Sequence, residues 1–547
     1  MPNFRTSDHI FTLRTLIDQH VINKKKGRIY ACFIDFKRAF DSIWHDGLLL
    51  RLLQYNISGN FYKLIKNLYS KSSCFVKLGS KRTKSFEYTR GVRQGCILSP
   101  LLFNLFLNEL SISLENSNET DSFYLPNGQK LSSLLYADDL ILMSKSEVGL
   151  QNSIKLVNDF CSQWQMSVNE KKTKVMIFCK KETDKIKQSS FTLNGTNLEI
   201  VKEFSYLGVK ISSTGNFSNH QIQSKEKALH AFYKITNITE FKHLKPKLAC
   251  KLFDSLIKPI LTYASEIWGV YQKHDFDKWD KNPVEKVHLR FCKYYLGTSN
   301  KASNIASRAE LGRFPMKLFT DTFSLKYFNH LLCLPDNSIT KQAFFVSQTL
   351  HEQNKSCYVS NLQAMLNFYD IHDNLKQCLS NENIKIYSEK MKSNYFKHWK
   401  SLLQNSKKLT FYRSFKTDYE VEDYLNIIQN FEQRRQFTKF RISNHKLAIE
   451  AGRYSNQYVQ SDQRICVYCT SNEIECEMHM LFKCPIYNEF RENFYRLLEK
   501  EMIINKRNEN DLLQNLMSSN NSKIITLLSK FICKCLILRQ DSPQNRM

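Results

Sequence analysis

The chain has 547 residues, more than one hydrophobic core usually serves, so we predict three or four domains. Its 42% hydrophobic and 24% charged residues are ordinary for a folded protein and exclude a wholly disordered chain. Lys and Arg exceed Asp and Glu by 79 to 52, and the net charge of +27 is typical of proteins that lie along phosphates. A solvated basic surface without a partner is the alternative.

The 16 cysteines are not expected to form a disulfide framework, because the opening MPNFRTSDHI lacks the basic and apolar regions of a secretory signal. No run reaches the roughly 18 apolar residues of a membrane span. We therefore expect no membrane association, an intracellular location and reduced thiols, which makes clustered cysteines candidate metal ligands.

Short runs rich in β-branched and aromatic residues predict strands, and apolar periodicity predicts helices between them. The predicted strands lie at 30–36, 73–79, 134–143 and 175–179. The predicted helices lie at 7–22, with Ser7 or Asp8 as N-cap, at 48–56, and at 99–114, with Ser99 as N-cap. From about 225 the strand signals fade, and 524–538 suits an amphipathic terminal helix. This order predicts an α+β catalytic body with helical appendages.

Three aspartates occur where an acid is energetically unfavourable. Asp35 follows the apolar strand YACFI, and Asp138 and Asp139 lie between LLYA and LILM, the pattern of a hairpin with acids at its tip. Clustered carboxylates repel one another unless a cation neutralises them, and Mg²⁺ prefers a few carboxylates together with substrate phosphates. Taken singly, each acid is equally well explained by a plain hairpin turn or a helix cap.

Four motifs occur in order around these acids: FIDFKRAFD, GVRQGCILSPLLFN, YADD and FSYLGVKIS. With them the chain resembles the reverse transcriptases of jockey-like non-LTR (long-interspersed-element type) retrotransposons, strongly over 4–213 and recognisably to about 297. The resemblance implies a right-hand polymerase fold: an antiparallel palm sheet with helices, partial fingers, a helical thumb, and a mainly helical C-terminal region with a small CCHC zinc element. It also implies an N-terminally truncated chain, because the fingers strands that precede FRTSDHIFTL in the family are absent.

The resemblance assigns roles residue by residue. Asp35 and Asp138 are implied as ligands of two Mg²⁺ ions, which Mn²⁺ can replace, with Asp139 as the acid beside them. Phe40 is implied as the bulky side chain that excludes a ribose 2′-hydroxyl. The full set of implied nucleotide-binding residues is Phe36, Phe40, Gln94, Gly95 and Lys172. The implied template and primer contacts are Arg5, Arg93, Tyr206, Leu207 and Gly208, and further candidates for contacts with a duplex backbone are Lys286, Arg290 and Lys293.

The spacing Cys466-x2-Cys469-x9-His479-x4-Cys484 supplies four ligands for a tetrahedral Zn²⁺ and resembles the CCHC element downstream of the polymerase in this family. Cys476 lies inside the nine-residue gap as a spare thiol. A set of unpaired thiols is the alternative. If zinc binds, the site is closed and structural and holds a small nucleic-acid-contacting module, which the basic segment 438–453 adjoins.

These assignments predict five segments: partial fingers and palm at 1–213, a helical thumb at 214–300, a helical linker at 301–440, the basic segment and zinc knuckle at 441–500, and a helical tail at 501–547. The expected function is RNA-directed DNA polymerase, which extends the 3′-OH of a DNA primer or target DNA along an RNA template with dNTPs. A catalytically silent nucleic-acid-binding remnant is the alternative, and a maturase or telomerase-like enzyme fits the CCHC element less well. The expected location, in the cytoplasm and nucleus, is inferred from this expected function alone.

Overall fold

The computed structural model describes residues 5–541 apart from 88, 182–187, 373–377, 455–458 and 504–507. At its centre is a five-stranded sheet. Its strands are, in spatial order, β13 (Glu199–Ile200), β10 (Lys174–Cys179), β1 (Arg28–Ile34), β9 (Asp139–Ser144) and β8 (Ser133–Tyr136). Neighbouring strands are antiparallel except β10 and β13, which are parallel.

The remaining strands form two-stranded ribbons. These pair β2 (Ser73–Cys74) with β5 (Phe86–Glu87), β3 (Lys77–Leu78) with β4 (Lys81–Arg82), β6 (Phe123–Tyr124) with β7 (Lys130–Leu131), β11 (Thr192–Leu193) with β12 (Thr196–Asn197), and β14 (Glu203–Tyr206) with β15 (Val209–Ser212). In the described residues after Ser212 the regular elements are helical, with isolated bridges joining Leu311 to Val421 and Ile465 to Ile474. The fading of strand signals beyond 225 is confirmed.

Helices surround the sheet and make up the later part of the chain. Those around the sheet are α1 (Thr6–Ile17), α2 (His45–Gln54), α3 (Gly59–Ser70), α4 (Ser99–Asn116) and α5 (Glu147–Gln163). The later ones are α6 (Ser218–Ile238), α7 (Pro246–Leu252), α8 (Lys258–Leu261), α9 (Ser265–Trp268), α10 (Phe276–Trp279), α11 (Pro283–Leu296), α12 (Asn304–Glu310), α13 (Met316–Cys333), α14 (Ile339–Glu352), α15 (Tyr358–Phe368), α16 (Asn381–Asn405), α17 (Tyr424–Ile427), α18 (Phe431–Arg441), α19 (Ala448–Ala451), α20 (Asn488–Leu498), α21 (Glu509–Met517) and α22 (Ser522–Asp541). None of the helices in the described part of the chain combines the length and apolar character that a bilayer span requires.

Strand β1 separates two hydrophobic cores, because alternate side chains of a strand point to opposite faces of the sheet. The first core contains side chains of α2, α3, α4 and α5, and the second continues into the helices of the later chain. The residues of β1 divide between them in strict alternation, with Tyr30, Cys32 and Ile34 in the first core and Ile29, Ala31 and Phe33 in the second.

Helix α1, which packs beside the sheet, is joined to the later helices through a buried carboxylate. Asp8 is fully buried, and it accepts hydrogen bonds from the Tyr327 hydroxyl (2.9 Å) and from the Arg5 backbone N–H (3.0 Å). His330 Nε2 lies 3.2 Å from the same carboxylate. Because a buried charge is costly without such partners, these contacts fix how α1 docks on α13.

A second buried network lies at the end of α1, where the chain continues as a π-helical turn, Asp18–Ile22. Asp18 forms an ion pair of 2.7 Å with Arg14 and accepts a hydrogen bond of 2.6 Å from the Tyr271 hydroxyl. The Arg14 guanidinium also lies 4.0 Å from the centre of the Tyr271 ring. Both ends of α1 are therefore bound to the helical part of the chain.

The predicted elements are present with shifted ends. The terminal helix is confirmed as α22, and the strand predicted at 73–79 is reduced to the two-residue strands β2 and β3. The N-cap predictions are wrong. Helix α1 begins at Thr6 with Arg5 as N-cap, and Ser99 is itself helical, its hydroxyl donating to the Arg93 carbonyl (2.6 Å) instead of capping.

Replacing Tyr327 by Phe is expected to lower the free energy of unfolding by about 1–3 kcal/mol, because it removes a donor from a buried carboxylate. Thermal unfolding followed by circular dichroism measures the change as a lower Tm. Tyr233→Phe is the matched control, since Tyr233 is 40% exposed. Equal Tm values for the two variants would contradict the role given to the hydrogen bond between Tyr327 and Asp8.

Candidate active site and metal centre

The sheet register brings Asp35 and the acidic hairpin together. Ile34, the last residue of β1, pairs with Leu140 of the antiparallel strand β9. Asp35 follows Ile34 and Asp139 precedes Leu140, so these two acids lie across from each other at the same end of the sheet. Asp138 is the neighbouring residue, in the turn before β9. The three aspartates singled out in the sequence therefore lie together at one end of the sheet, which is called the acidic edge below.

The tip of the acidic hairpin has an unusual backbone. Tyr136 of β8 pairs with Asp139 of β9, which leaves Ala137 and Asp138 as a two-residue turn. Ala137 has a φ of 53°, in the left-handed region that non-glycine residues seldom adopt. Asp138 and Asp139 are both exposed. The turn thus presents two carboxylates to solvent on a backbone of the kind that costs about 1–3 kcal/mol and clusters at functional sites.

Asp35 is held from the other side by the segment that carries Lys172. The backbone N–H of Asp35 donates to the Thr173 hydroxyl (3.2 Å), and its carbonyl accepts the Asn169 backbone N–H (2.7 Å). Thr173 is buried, whereas Lys172 is exposed and donates its backbone N–H to the Asn169 carbonyl (3.1 Å). The turn that begins at Asn169 therefore fixes the main chain of Asp35 and presents Lys172 to solvent beside it.

The three carboxylates influence one another electrostatically. Although the Asp139 side chain reaches solvent, the protein around it displaces part of its hydration and raises its pKa, and the negative charges of Asp138 and Asp35 raise the pKa further. The acids are not gathered into a ligand group as tight as the cysteine and histidine cluster described below. A bound cation would reverse this repulsion, because it favours the ionised form of every carboxylate around it.

The FSYLG segment forms the turn between β14 and β15 beside the sheet. Its tip residues Leu207 and Gly208 have φ angles of 47° and 78°. The Phe204 ring stacks on Phe33 of β1 at 4.3 Å between ring centres, and the Tyr263 hydroxyl donates to the Leu207 carbonyl (2.9 Å). A Cβ on Gly208 would lie 3.1 Å from the Tyr263 ring. The hairpin is thus fixed against β1 on one side and Tyr263 on the other.

His9 of α1 is a neighbour of the site that no sequence motif indicated. Its ring meets Tyr136 edge-on at 5.4 Å between centres, and its Nδ1 lies 3.5 Å from the Tyr206 hydroxyl. Burial lowers the pKa of His9 to about 4, although the negative charge of Asp8 acts to raise it. The ring is therefore neutral at pH 7. Burial raises the pKa of Tyr206, and the charge of Asp139 raises it further, which shows that Tyr206 lies near the acidic hairpin.

The GVRQG loop runs beside the chain segment that follows Asp35. The Val92 N–H donates to the Phe40 carbonyl (2.8 Å), and Gln94 Nε2 donates to Asp41 Oδ1 (3.1 Å). Gly95 has a φ of 81° with open space where a Cβ would stand, so its glycine is required by backbone conformation and not by crowding. The structure therefore brings Gln94 and Gly95 next to the Phe40 segment.

The two predicted phenylalanines have different environments. Phe40 is half-buried, and its ring stacks on Phe103 of α4 at 4.3 Å between centres. Phe36 is only 6% exposed and belongs to the first of the two cores, which contains side chains of α2 to α5. The ring of Phe36 is therefore a packing element, whereas part of Phe40 faces solvent.

The two predicted arginines both lie at the surface. The Arg93 guanidinium donates to the Ser72 hydroxyl (2.6 Å) and the Leu68 carbonyl (3.3 Å) at the end of α3. Arg5 is exposed at the start of α1. The guanidinium of Arg93 is thus partly committed to contacts within the chain.

Near the C-terminus the four residues selected by spacing form a cluster. The ligand atoms of Cys466, Cys469, His479 and Cys484 all lie within 4.8 Å of one another. Cys469 Sγ is 3.4 Å from His479 Nε2, and Cys466 Sγ is 4.0 Å from Cys484 Sγ. Cys476 is not a member of this group. Three thiols and one imidazole at these separations are a donor set that a metal ion can join.

Neighbouring groups orient the cluster. His479 Nδ1 lies 3.0 Å from a Glu473 carboxylate oxygen, which leaves Nε2 directed to the cluster. Carboxylates hold metal-binding histidines in this way in many proteins. The Arg491 guanidinium donates to the Leu481 and Cys484 carbonyls (both 2.8 Å), so the turn between the last two cluster residues is fixed independently of any ion.

The chain is similar in sequence to known proteins. Residues 1–211 match the family described as reverse transcriptase (RNA-dependent DNA polymerase). The chain is 27% identical over 267 residues to the RNA-directed DNA polymerase from mobile element jockey of Drosophila funebris, covering 47% of this chain and 27% of that protein. It is 27% identical over 200 residues to the Pol polyprotein from type-1 retrotransposable element R2 of Popillia japonica, covering 36% of this chain and 33% of that protein.

Two further similarities complete the comparison. The chain is 23% identical over 293 residues to the probable RNA-directed DNA polymerase from transposon BS of Drosophila melanogaster, covering 51% of this chain and 31% of that protein. A telomerase structure from Candida tropicalis aligns with 62% of this chain and 52% of its own, at 14% identity and a TM-score of 0.31, which is too low to support an inference. The chain thus spans about a third or less of the length of these curated relatives.

The motif-bearing N-terminal part of the chain is a reverse transcriptase domain. This part of the chain is similar to the polymerases of jockey and other transposable elements, as the four ordered motifs indicated.

Replacing Asp138 by Asn is expected to raise the Tm at pH 7 without added Mg²⁺, because it relieves repulsion that raises the pKa of Asp139. A carboxyl whose pKa is raised by folding destabilises the fold once the pH passes through its folded-state pKa. The Tm difference from wild type should therefore vanish in acid, where the acids are protonated.

Thermal unfolding across a pH series measures both effects. Asp462→Asn is the control, because Asp462 is an exposed acid remote in sequence from the three aspartates. A lower Tm for Asp138→Asn than for Asp462→Asn at pH 7 would show that repulsion at the hairpin is not a source of instability.

Proposed function

We propose that the chain is an RNA-directed DNA polymerase that extends a DNA 3′-OH, in a primer or target DNA, along an RNA template. The observation that supports this most directly is the register that sets Asp35 opposite Asp139 and beside Asp138 in a reverse transcriptase domain. In this proposal residues 1–213 supply partial fingers and palm, 214–300 a helical thumb and 301–440 a helical linker. The enzyme would act in the cytoplasm and nucleus, where RNA templates and DNA targets occur.

The acidic edge suits a pair of hard divalent cations. Asp35 and Asp138 would hold two Mg²⁺ ions, or Mn²⁺ in their place, with Asp139 beside them. The fit rests on the convergence of three carboxylates: burial raises the pKa of Asp139, and the negative charges of Asp138 and Asp35 raise it further, which a bound divalent cation would counter. When bound, such ions activate the attacking 3′-oxygen and stabilise the leaving pyrophosphate. The chain itself contributes the rigid strand ends that keep the three carboxylates aligned.

The nucleotide would lie between the GVRQG loop and the Lys172 turn. Gln94 and Gly95 line one side, and the exposed Lys172 ammonium would offset charge that develops on the departing phosphates. Phe40, held flat by Phe103, would leave too little room for a ribose 2′-hydroxyl. Phe36 would support this surface from the core beneath it.

Template and primer would contact the same edge. Leu207 and Gly208 at the FSYLG turn would hold the primer end, and the buried Tyr206 would position that turn. Arg93 and Arg5 would contact the template backbone. These are sequence-independent contacts, in which cationic and backbone groups bind phosphates.

Primer extension with Mg²⁺ on an RNA template and a DNA primer tests the proposal. Asp138→Asn and Asp35→Asn should each lower the rate at least about 100-fold, because loss of a ligand removes several kcal/mol of transition-state stabilisation. Asp462→Asn removes an equal charge from the surface and should keep the wild-type rate.

Two results would count against polymerase activity. Folded wild-type protein that binds RNA and primer without extending the primer would instead support a silent nucleic-acid-binding protein. Equal activity of Asp138→Asn and Asp462→Asn would show that the acidic edge is not the reaction centre.

The cysteine and histidine cluster, we propose, binds one structural Zn²⁺ and orders the basic segment and knuckle at 441–500. Cys466, Cys469, His479 and Cys484 would hold it, and the borderline-soft ion matches three thiolates and an imidazole. Hydrogen bonds from Ser471 outweigh the effect of burial and lower the pKa of Cys469 to about 7, which favours the thiolate that a metal needs. All four positions are filled by protein, so the site is structural.

Purified protein should contain about one zinc per chain by elemental analysis. Cys469→Ser should lose the zinc and lower the Tm, because one of four ligands is removed. Cys476→Ser is the matched control, since Cys476 lies in the same segment but outside the cluster. Zinc retained by Cys469→Ser, or lost equally by Cys476→Ser, would show that the ligand set is different.

A further inference from the structure

A cavity of about 210 Å³ opens where the end of α11 meets α18, away from the acidic edge. Four cationic side chains line it, namely Lys242, Arg290, Lys293 and Arg435. Among the described residues that line the cavity there is no Asp or Glu. A cavity with four positive charges and no acid of its own is complementary to an anion.

Three of the four cations contact neutral groups. Arg290 donates to the Asn300 side chain (2.9 Å), and Lys293 donates to the Asn300 carbonyl (2.9 Å). The Lys242 ammonium lies over the Tyr294 ring at 4.6 Å. These contacts orient the three side chains without cancelling their charge.

The arginines that line the cavity have hydrogen-bonding capacity left over. The Nε atoms of Arg290 and Arg435 are buried, and neither makes a hydrogen bond in the part of the chain that the structure describes. A buried donor left unpaired costs about 1–3 kcal/mol, so both guanidinium groups would be stabilised by a further acceptor that a small shift of the side chain could reach. The Arg435 Nη2 is bonded to Glu432 (2.6 Å), which leaves its Nε for another acceptor.

Backbone conformation brings these groups together. Gly297 ends α11 with a φ of +66°, and an added Cβ would lie 2.7 Å from Arg435 Cγ and 2.9 Å from Phe431 Cζ. Only glycine both adopts this conformation and lets α18 approach so closely. The cavity is therefore built from two distant segments, and a larger residue at Gly297 would push Arg435 out of it.

Basic and aromatic groups continue from the cavity. Lys301, next to Asn300, places its ammonium 4.9 Å from the centre of the Tyr454 ring. Tyr454 is 49% exposed, and its hydroxyl accepts a hydrogen bond of 3.0 Å from Lys408. A row of cations beside an exposed ring suits the alternating phosphates and bases of a strand better than an isolated small anion.

The geometry points to a phosphate-binding site for a nucleic-acid strand, with Arg290 and Arg435 as the residues that hold one backbone phosphate and Lys242 and Lys293 as supporting charges. This deepens the proposed function, because it names a contact of the template or primer outside the palm. Since it concerns binding and not synthesis, it can be tested in protein that cannot polymerise.

The test measures binding of single-stranded RNA and DNA oligonucleotides to the full chain carrying Asp138→Asn, by fluorescence anisotropy over a range of salt concentrations. Arg290→Gln and Arg435→Gln should each reduce the salt slope by about 1 and weaken binding about tenfold, whatever the oligonucleotide sequence. Arg290→Lys should keep the slope, because it keeps the charge. Lys397→Gln is the matched control on the exposed face of α16 and should change neither quantity.

Each outcome decides the question. If Arg290→Gln and Arg435→Gln are folded by circular dichroism and have the salt slope and affinity of Lys397→Gln, the proposed site is wrong. If a glutamine variant does not fold, Lys242→Gln and Arg290→Lys supply the comparison. In another outcome, inorganic phosphate raises the Tm of wild type while the variants bind oligonucleotides as wild type does. That result would show that the cavity binds a free anion, and it would overturn the proposal that a nucleic-acid strand binds there. If the arginine variants have reduced salt slopes but the wild-type protein does not polymerise, this binding site is supported and the proposed function is wrong.

Discussion

The pairing of β1 with β9 on one side and β10 on the other is the constraint on which the site depends. Ile34 pairs with Leu140 on one side, and Phe33 pairs with Lys174 on the other. A slip of one residue would turn every side chain of β1 to the opposite core. The same slip would move Asp35 away from Asp139. Because β1 is buried on both faces, the fit of its side chains in the two cores and the alignment of the carboxylates depend on the same register.

Helix α1 extends this constraint into the helical part of the chain. Its buried Asp8 and Asp18 need partners, and Tyr327 and Tyr271 supply them from later helical segments. On the same helix, His9 touches the strand that leads into the acidic hairpin. The helical half therefore does more than lengthen the molecule. It holds the helix that borders the acidic edge, so a change in that half can reach the candidate active site through packing.

Whether a feature could be predicted from the sequence depends on how far apart in the chain its interacting residues lie. The strand at β1 and the acidic hairpin were predictable because their apolar runs and turn residues are local signals. The strand predicted at 73–79 largely fails since Phe75, Val76 and Leu78 are all exposed, and β-propensity without a face to bury does not make a long strand. The docking of α1 was beyond sequence reasoning, because Asp8 and Tyr327 are 319 positions apart.

The cysteine and histidine cluster was predictable from the sequence, whereas the basic cavity was not. Cysteine spacing is a local pattern, so all four members of the cluster were identifiable, and the structure leaves the spare thiol of Cys476 outside it. Arg435 carries no such signal, because its role depends on Gly297 across the fold. Helix α18 connects the two regions. Gln433 of that helix donates to Ser529 of α22 (2.7 Å), and Arg539 of α22 pairs with Glu475 within the cluster segment. The cavity and the cluster therefore share a scaffold, and loss of order at the cluster would be transmitted along α22 to the helix that carries Arg435.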